Sequence, residues 1–169
     1  MKTVALVIAE KTFRDEEYQV PKLILEQAGI KVLTVCTTLE IAVGKLGMEV
    51  KPDLLLKDLD KIEIDALIFV GGGGSSQYFL DKHAHELLWY FYNQGKIIGA
   101  ICIAPVILAN AGILKGKKAT VFPDGKEQLL AAGAIYSDHS VETDEKIITG
   151  CGPEAAEQYG RELLKLLNK

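Results

Sequence analysis

Short apolar runs alternate with helical patterns along almost the whole chain, and this alternation constrains the fold more than any other feature of the sequence. Four runs predict buried strands: Val4–Ala9, Lys31–Thr37, Asp65–Val70 and Lys96–Ile101. Each contains few polar residues, as expected for strands that are covered on both faces. Strands of this kind that alternate with helices form a mainly parallel sheet between helical layers. We therefore predict an α/β fold with a mostly parallel sheet.

The remaining pattern predicts the helices between these strands and a mixed carboxyl-terminal part. The predicted helices are Glu16–Ala28, closed by Gly29, then His83–Asn93, a segment that ends at Ala111, Pro123–Gly133 and a last helix after Pro153. The other predicted elements are an edge excursion or hairpin over Val43–Leu56, a strand Ala119–Phe122 and a hairpin that joins the runs around Tyr136 and Ile147.

A single domain over residues 1–169 accounts for the length and composition. The chain has 49% hydrophobic and 25% charged residues, which is an ordinary globular balance. Its 19 Lys+Arg and 23 Asp+Glu give a net charge of −4 without a basic block, so nucleic acid is not an expected partner. Three cysteines are too few for a secreted disulfide framework, and no apolar run approaches the ~18 residues of a membrane span. We expect a soluble cytoplasmic protein with no membrane partner.

Cys102 lies at the junction between a predicted strand and a predicted helix. Ala100 and Ala104 lie two residues on either side of it, which is the small-x-nucleophile-x-small pattern of a nucleophile elbow. Pro105 suits the first helical turn. A thiol at a helix N-terminus faces free N–H groups and the positive end of the helix dipole, which favour a thiolate. The alternative is a buried core cysteine, the commoner state of a free thiol.

Two further segments can reach the same crevice, because ligands of parallel α/β sheets bind beyond the carboxyl ends of the strands. Gly71–Gly74 follows a predicted strand, and its N–H groups can form either an oxyanion site or a flexible turn. Glu16 and Glu17 open the first helix, where acidic side chains usually complement the helix dipole at the surface. One of the two can instead turn inward.

Taken together, these segments resemble the ThiJ/PfpI superfamily over nearly the whole chain and in the same order. The run from Phe13 to Pro21 is similar to the family's acidic first-helix motif, whose functional glutamate lies four residues before the proline, which points to Glu17. The strand before Gly71 and Gly72 resembles the family's oxyanion segment, and Ala100–Pro105 resembles its nucleophile elbow.

The resemblance implies a flavodoxin-like three-layer α/β/α sandwich, similar to the class I glutamine amidotransferase fold. It also implies a homodimer or a higher homo-oligomer, and chemistry that needs neither a metal nor an organic cofactor. On this basis Cys102 is the expected nucleophile and Glu17 is expected to relay its proton. The N–H groups of Gly71, Gly72 and Ile103 are expected to bind the oxyanion.

Two departures from the family's protease branch bear on function. That branch carries a histidine directly after the nucleophile, where this chain has Ile103, and a glutamate after the glycine turn, where it has Ser75 and Ser76. A thiol without a base is a poor catalyst of amide cleavage. The leading hypothesis is therefore a glyoxalase- or deglycase-like enzyme that acts on small carbonyl electrophiles or their adducts. The alternatives are an intracellular cysteine peptidase and a non-enzymatic thiol redox sensor or chaperone.

The other cysteines and the histidines have weaker functional signals. Cys151 precedes Gly152 in a loop that the family places near the active site, so it is a candidate redox partner of Cys102. Cys36 lies within a predicted strand and is expected in the core. His83 and His85 stand two residues apart on one helix and cannot chelate one metal together. His139 is expected in a solvated turn.

The predicted helix around Trp89–Tyr92 carries four consecutive aromatic residues. One face of a sheet cannot bury aromatic side chains that point to nearly all sides of a helix. This surplus predicts a subunit interface.

Overall fold

A seven-stranded sheet forms the centre of the protein in the computed structural model, which describes residues 1–169. In chain order the strands are β1 Thr3–Val7, β2 Lys11–Phe13, β3 Lys31–Cys36, β4 Ala42–Gly44, β5 Glu49–Val50, β6 Leu54–Leu55, β7 Ala66–Phe69, β8 Ile97–Ile101, β9 Lys118–Ala119, β10 Ile135–Tyr136, β11 Val141–Asp144 and β12 Ile147–Gly150. The central sheet has the order β11-β12-β8-β7-β1-β3-β6. All its pairings are parallel except that of β11 with β12.

Five α-helices cover both faces of this sheet: α1 Asp15–Gln27, α2 Lys82–Asn93, α3 Pro105–Asn110, α4 Lys126–Ala131 and α5 Ala156–Leu167. Helices α1 and α5 pack together on one face, where Leu25 and Tyr159 are fully buried. Helices α2, α3 and α4 cover the other face around Leu88 and Ile107. The prediction of a mostly parallel α/β/α sandwich is confirmed. None of the five helices has the length and apolar character needed to cross a membrane.

The predicted face of the last helix is buried as expected. Its residues Ala156, Tyr159, Leu163, Leu166 and Leu167 all lie in the core beneath α5. A short 3₁₀ turn over Pro153–Ala155 precedes the α-helix. The proline therefore begins this segment, as predicted, without breaking any helical hydrogen bond.

The structure differs from the prediction between residues 118 and 136. The expected strand Ala119–Phe122 is reduced to β9, because the N–H of Thr120 donates to Thr149 Oγ1 and that of Phe122 donates to the Cys102 carbonyl oxygen. Tyr136 does not pair with the strand that contains Ile147. It belongs to β10, which pairs with β9 in a separate two-stranded sheet, and the partner of β12 is β11.

A small sheet of β2, β4 and β5 lies beside the amino end of α1. The expected excursion after residue 42 forms the antiparallel hairpin of β4 and β5, whereas β2 has no counterpart in the prediction. Two of the three residues of β2 are exposed and Thr12 has a φ of 56°. A strand of this kind carries no apolar alternation that sequence reasoning could detect.

The order of the central strands positions the candidate site. Strands β7 and β8 are parallel neighbours, with Phe69 opposite Ala100. Their carboxyl ends therefore deliver the glycine turn after β7 and Cys102 after β8 to the same edge of the sheet. This edge is where parallel α/β sheets bind their ligands.

Candidate active site

Cys102 occupies a strained turn between β8 and α3. Its φ is 64°, a left-handed conformation that costs a residue with a side chain about 1–3 kcal/mol. Two hydrogen bonds hold this turn: the Cys102 N–H donates to the Gly150 carbonyl at 2.8 Å, and its carbonyl accepts from the Phe122 N–H at 2.7 Å. Only 9% of the residue is exposed. This strained strand-to-helix turn is the geometry of the predicted nucleophile elbow.

Glu17 turns inward from the first turn of α1, as one of the two alternatives predicted. It is 1% exposed, whereas Glu16 remains at the surface and pairs with Arg14. Oε2 of Glu17 accepts a hydrogen bond from the Gly71 N–H at 3.0 Å. Oε1 is buried without a hydrogen-bond partner, and the Cys102 thiol lies close enough to interact with this carboxyl.

Burial raises the pKa of both members of this pair. Burial raises the pKa of Glu17 from 4.5 to about 7, and the Cys102 thiol and the Gly71 N–H only partly offset this effect. Burial, followed by the neighbouring Glu17 carboxylate, raises the pKa of Cys102 from 9.0 to about 12, although the Gly72 and Ile103 N–H groups lower it. Two neighbouring anions in a buried site are costly. The two groups therefore compete for protons: burial and the Glu17 carboxylate oppose a Cys102 thiolate, and the Gly72 and Ile103 N–H groups favour it. A resting thiolate at Cys102 remains a prediction.

Close packing explains why glycine follows β7. A Cβ atom on Gly71 would collide with Oε2 of Glu17, and would lie 2.6 Å from both Cys102 Cβ and the Ile101 carbonyl oxygen. The Gly71 carbonyl oxygen also accepts a hydrogen bond from the Arg14 N–H at 2.9 Å. The glycine turn thus joins the start of α1 to the elbow.

The predicted oxyanion groups divide into two kinds. The Gly72 and Ile103 N–H groups both interact with the Cys102 sulfur, so they are available to an oxygen bonded next to it. The Gly71 N–H is engaged by Glu17, and in this arrangement Gly71 positions the carboxyl.

Cys102 opens into a surface cavity of about 300 Å³. A cavity of this size is at the lower end of small-molecule sites. Its lining residues are Arg14, Lys45, Gly72, Gly73, Cys102, Ile103, Phe122, Asp124 and Pro153.

Sequence reasoning missed four of these lining residues: Arg14, Lys45, Phe122 and Asp124. Arg14 lies within the motif that contains Glu17, but an arginine at the start of a helix resembles a solvated surface group. The other three come from turns distant in the chain. Only the position of Lys45 between Gly44 and Gly47 marks a tight turn, and nothing in the sequence places that turn beside Cys102.

The remaining candidates lie outside this cavity. Cys151 lines a neighbouring cavity of about 470 Å³, and Phe122 and Pro153 belong to both cavities. All three cysteines are free thiols, and a redox partnership between Cys102 and Cys151 remains a prediction. His139 is exposed and pairs with Glu142, with 3.0 Å between Nδ1 and Oε2.

The third cysteine and the other two histidines also lie outside the Cys102 cavity. Cys36 is fully buried. His85 Nε2 lies 3.0 Å from the Phe79 carbonyl oxygen, and His83 faces Glu86. No three side chains of His, Cys, Asp or Glu lie together in a way that could bind a metal ion.

Comparison with known proteins gives similarity over the whole chain. The family model described as the DJ-1/PfpI family matches residues 2–166. The protein MJ0967 of Methanocaldococcus jannaschii is 44% identical over 98% of this chain and 82% of its own length. Deglycase PYRAB04690 of Pyrococcus abyssi is 30% identical over 96% of this chain and 98% of its own.

Solved structures give the same result. The ThiJ/PfpI domain protein of Brachyspira murdochii superposes with a TM-score of 0.95 at 31% identity, and the match covers 98% of this chain and 96% of that one. Drosophila melanogaster DJ-1beta superposes with a TM-score of 0.90 at 28% identity, over 99% and 91% of the two chains. With a strained elbow cysteine beside a buried glutamate, and with this similarity in sequence and fold, the chain belongs to the DJ-1/PfpI family.

Proposed function

We propose that the protein is a cysteine enzyme of the glyoxalase or deglycase type, which acts on small carbonyl electrophiles such as 2-oxoaldehydes or on their adducts. The observation that carries this proposal is the pairing of Cys102 with the buried carboxyl of Glu17 at the end of a small cavity. The name of the Pyrococcus abyssi relative, a deglycase, supports the same chemistry. No metal or organic cofactor is needed for it.

Covalent attack is the first step of the proposed reaction. Cys102 Sγ attacks the aldehyde carbon, and the free Oε1 of Glu17 accepts the thiol proton as the S–C bond forms. A carboxyl with a pKa of about 7 suits this exchange, because it can both accept and return a proton near neutral pH. The Gly72 and Ile103 N–H groups stabilise the oxyanion. Glu17 then gives the proton to this oxygen, which yields a hemithioacetal and restores the Glu17 carboxylate.

Proton transfer then completes the reaction. Glu17 removes the proton from the former aldehyde carbon and returns it to the neighbouring carbon through an enediol, which gives the thioester of a 2-hydroxy acid. Water hydrolyses this thioester and restores the thiol. One water is added in total, the aldehyde carbon is oxidised and the ketone carbon is reduced, so no external oxidant or reductant is required.

A peptidase function has less support from the same geometry. Amide cleavage requires protonation of the leaving nitrogen, which an imidazole usually performs. The residue after the nucleophile is Ile103, and none of the three histidines lines the Cys102 cavity. Glu17 is the carboxyl that interacts with the Cys102 thiol, and in the proposed reaction it is already engaged in activating that thiol.

Turnover of 2-oxoaldehydes tests this proposal. We expect purified protein to convert methylglyoxal and glyoxal to the corresponding 2-hydroxy acids, and we expect Cys102→Ser to abolish this activity. Cys151→Ser is the matched control, because it removes a thiol from the neighbouring cavity, and it should retain the activity. A wild-type protein that consumes no carbonyl electrophile, but whose Cys102 is oxidised by peroxide, would favour the non-enzymatic sensor.

Self-association is a separate part of the proposal. Trp89 and Tyr90 on α2 are 39% and 46% exposed. The neighbouring Phe91 is buried in the core that α2 covers. Exposed aromatic surface of this kind is typical of protein interfaces. We propose that the chain forms a homodimer or a higher homo-oligomer, and light scattering on the wild-type protein tests this directly.

A further inference from the structure

The charged side chains around the Cys102 cavity indicate which class of substrate the cavity favours. We propose that Arg14 and Lys45 select 2-oxoaldehydes that carry a carboxylate a few bonds from the reacting carbonyl, over neutral ones of the same size. The proposal rests on the proposed function and refines its substrate class. It follows from three observations: the fixed orientation of Arg14, the position of Lys45 on a rigid turn, and the distribution of charged side chains in the cavity lining.

Arg14 is held in a fixed orientation at the mouth of the cavity. Its Nε and Nη2 donate to the two carboxylate oxygens of Glu16 at 2.8 and 3.2 Å. This bidentate pair uses two of the five N–H groups of the guanidinium, so three donors remain. The side chain is 26% exposed. An oriented, partly buried guanidinium with free donors is well suited to bind an anionic group of a substrate.

Lys45 is presented by a rigid turn between β4 and β5. Asp15, which is 5% exposed, accepts hydrogen bonds from the Leu46 N–H at 2.8 Å and the Met48 N–H at 2.9 Å. The Lys45 N–H itself donates to the Phe13 carbonyl oxygen at 2.8 Å. The turn is therefore tied to the beginning of α1, the helix that carries Glu17.

The side chain of Lys45 has no carboxylate within 4.0 Å among the ion pairs of the protein. An unpaired ammonium on a fixed turn beside the nucleophile is available to a ligand. A loop held in this way loses little conformational entropy when the ligand binds.

The charge of the lining favours a monoanion. The lining holds the cations Arg14 and Lys45 and the anion Asp124. Glu16 offsets the charge of Arg14, which leaves Lys45 as the cation without a carboxylate partner. Asp124 makes no ion pair with either cation, so it repels a ligand that carries further negative charge. A single carboxylate fits this lining better than a phosphate dianion does.

The first experiment compares two substrates that differ in charge and by one methyl group. We use 4,5-dioxopentanoate and its methyl ester, which have the same reacting 2-oxoaldehyde. The wild type should prefer the acid over the ester in kcat/KM by about tenfold, a typical effect of one charge-assisted hydrogen bond. The difference should lie in KM, and it should decrease as salt screens the cations.

Charge variants then identify the residues responsible. Lys45→Gln should reduce the preference to about twofold, and Asp124→Asn should increase it, because the two substitutions change the lining charge in opposite directions. Lys51→Gln is the matched control, since Lys51 is an exposed lysine that follows β5 and does not line the cavity. An unchanged preference in Lys45→Gln, or equal kcat/KM for acid and ester in the wild type, overturns the proposal.

A binding measurement separates this inference from the proposed function. We titrate wild type and Lys45→Gln with 4-oxopentanoate and with its methyl ester, neither of which is a 2-oxoaldehyde. Wild type should bind the acid about tenfold more tightly than the ester, and Lys45→Gln should lose this difference. If no 2-oxoaldehyde is turned over but this result is obtained, the anion selectivity holds and the proposed reaction fails. Equal binding of acid and ester by wild type refutes the selectivity whether or not turnover is seen.

Discussion

The Gly71 N–H donates to Oε2 of Glu17 at 3.0 Å, and this hydrogen bond determines how the carboxyl meets the nucleophile. With Oε2 engaged, Oε1 is the oxygen that remains free to exchange a proton with Cys102. The same turn that supplies the Gly72 N–H toward the sulfur thus also orients the base.

The pH dependence of activity should report the ionisation of Glu17. Burial raises the pKa of this carboxyl to about 7, and only the ionised form can accept the thiol proton. We therefore expect kcat/KM for methylglyoxal to rise with pH up to a plateau, with a midpoint near pH 7. Glu17→Gln should lose about 10²–10⁴-fold in activity and should lack this midpoint. A wild-type profile that stays flat between pH 5 and 9 would contradict the assignment.

The same substitution should make the thiol more reactive toward a simple alkylating agent. After burial, the Glu17 carboxylate is the largest cause that raises the pKa of Cys102. Glu17→Gln removes this charge, and the amide of Gln can donate a hydrogen bond to sulfur, so the thiolate fraction should increase. We expect faster iodoacetamide labelling of Cys102 at pH 7.5, measured by peptide mass mapping. Cys36 and Cys151 in the same molecule are the internal references, and equal acceleration at these sites would indicate a loosened fold.

Protein stability should depend on pH through Glu17. Its pKa is raised from 4.5 to about 7 in the folded state, so the folded protein holds this proton more tightly than the unfolded chain does. The corresponding stability is present below about pH 4.5 and is lost as pH rises through 7. Glu17→Gln has no ionisable carboxyl at this position, so it does not lose this stability as pH rises. Its free energy of unfolding relative to wild type should therefore increase by on the order of 2–3 kcal/mol between pH 5 and pH 8.

Urea unfolding at both pH values measures this difference. Glu49→Gln, at an exposed position in β5, is the control and should show no such gain. If the two variants behave alike, the carboxyl of Glu17 titrates as a solvent-exposed group.

Elements with strong apolar patterns were predictable from sequence, and elements held by long-range hydrogen bonds were not. The strand β8 and the buried face of α5 follow from runs of apolar residues. Phe122 was assigned to a strand because of its apolar neighbours, but its N–H donates to the Cys102 carbonyl. That bond depends on a residue 20 positions away, which no local pattern can reveal.

The residues of the candidate site show the same difference between local sequence patterns and long-range hydrogen bonds. Cys102 and Gly71 follow strands, so the rule for parallel sheets places them at one edge. Lys45 reaches that edge only because the buried Asp15 ties its turn to α1. An aspartate in a first helical turn is ordinarily a surface group, and nothing local indicates that this one is buried.

A larger residue at position 71 should reduce activity and stability far more than a larger residue at position 73 in the same turn. A methyl group at Gly71 would collide with the side chains of Glu17 and Cys102, whereas at Gly73 the nearest atom is Thr12 Oγ1 at 3.9 Å. We expect Gly71→Ala to abolish methylglyoxal turnover and to lower the stability by about 1–3 kcal/mol. Gly73→Ala should keep the wild-type melting temperature and most of the activity. Similar losses in both variants would mean that the turn is generally intolerant, and that the contact with Glu17 has no special role.

The residue after the nucleophile should decide between aldehyde and amide substrates. An aldehyde carbonyl accepts a thiolate and has no leaving group, whereas an amide requires protonation of its departing nitrogen. Ile103 lines the Cys102 cavity and offers no proton. We therefore expect wild type to cleave unstructured peptides at a negligible rate while it consumes methylglyoxal.

Ile103→His tests whether an imidazole at this position is sufficient for amide cleavage. The position lies directly beside the nucleophile, and general acid–base help from an imidazole is worth about 10²–10⁴-fold. We expect the variant to gain measurable peptidase activity with a bell-shaped pH profile, and Cys102→Ser in the same background to abolish it. The assay requires protein freed of trace proteases, with the Cys102→Ser protein from an identical preparation as the blank. Peptide cleavage by the wild type that disappears in Cys102→Ser would overturn this interpretation and identify the protein as a cysteine peptidase.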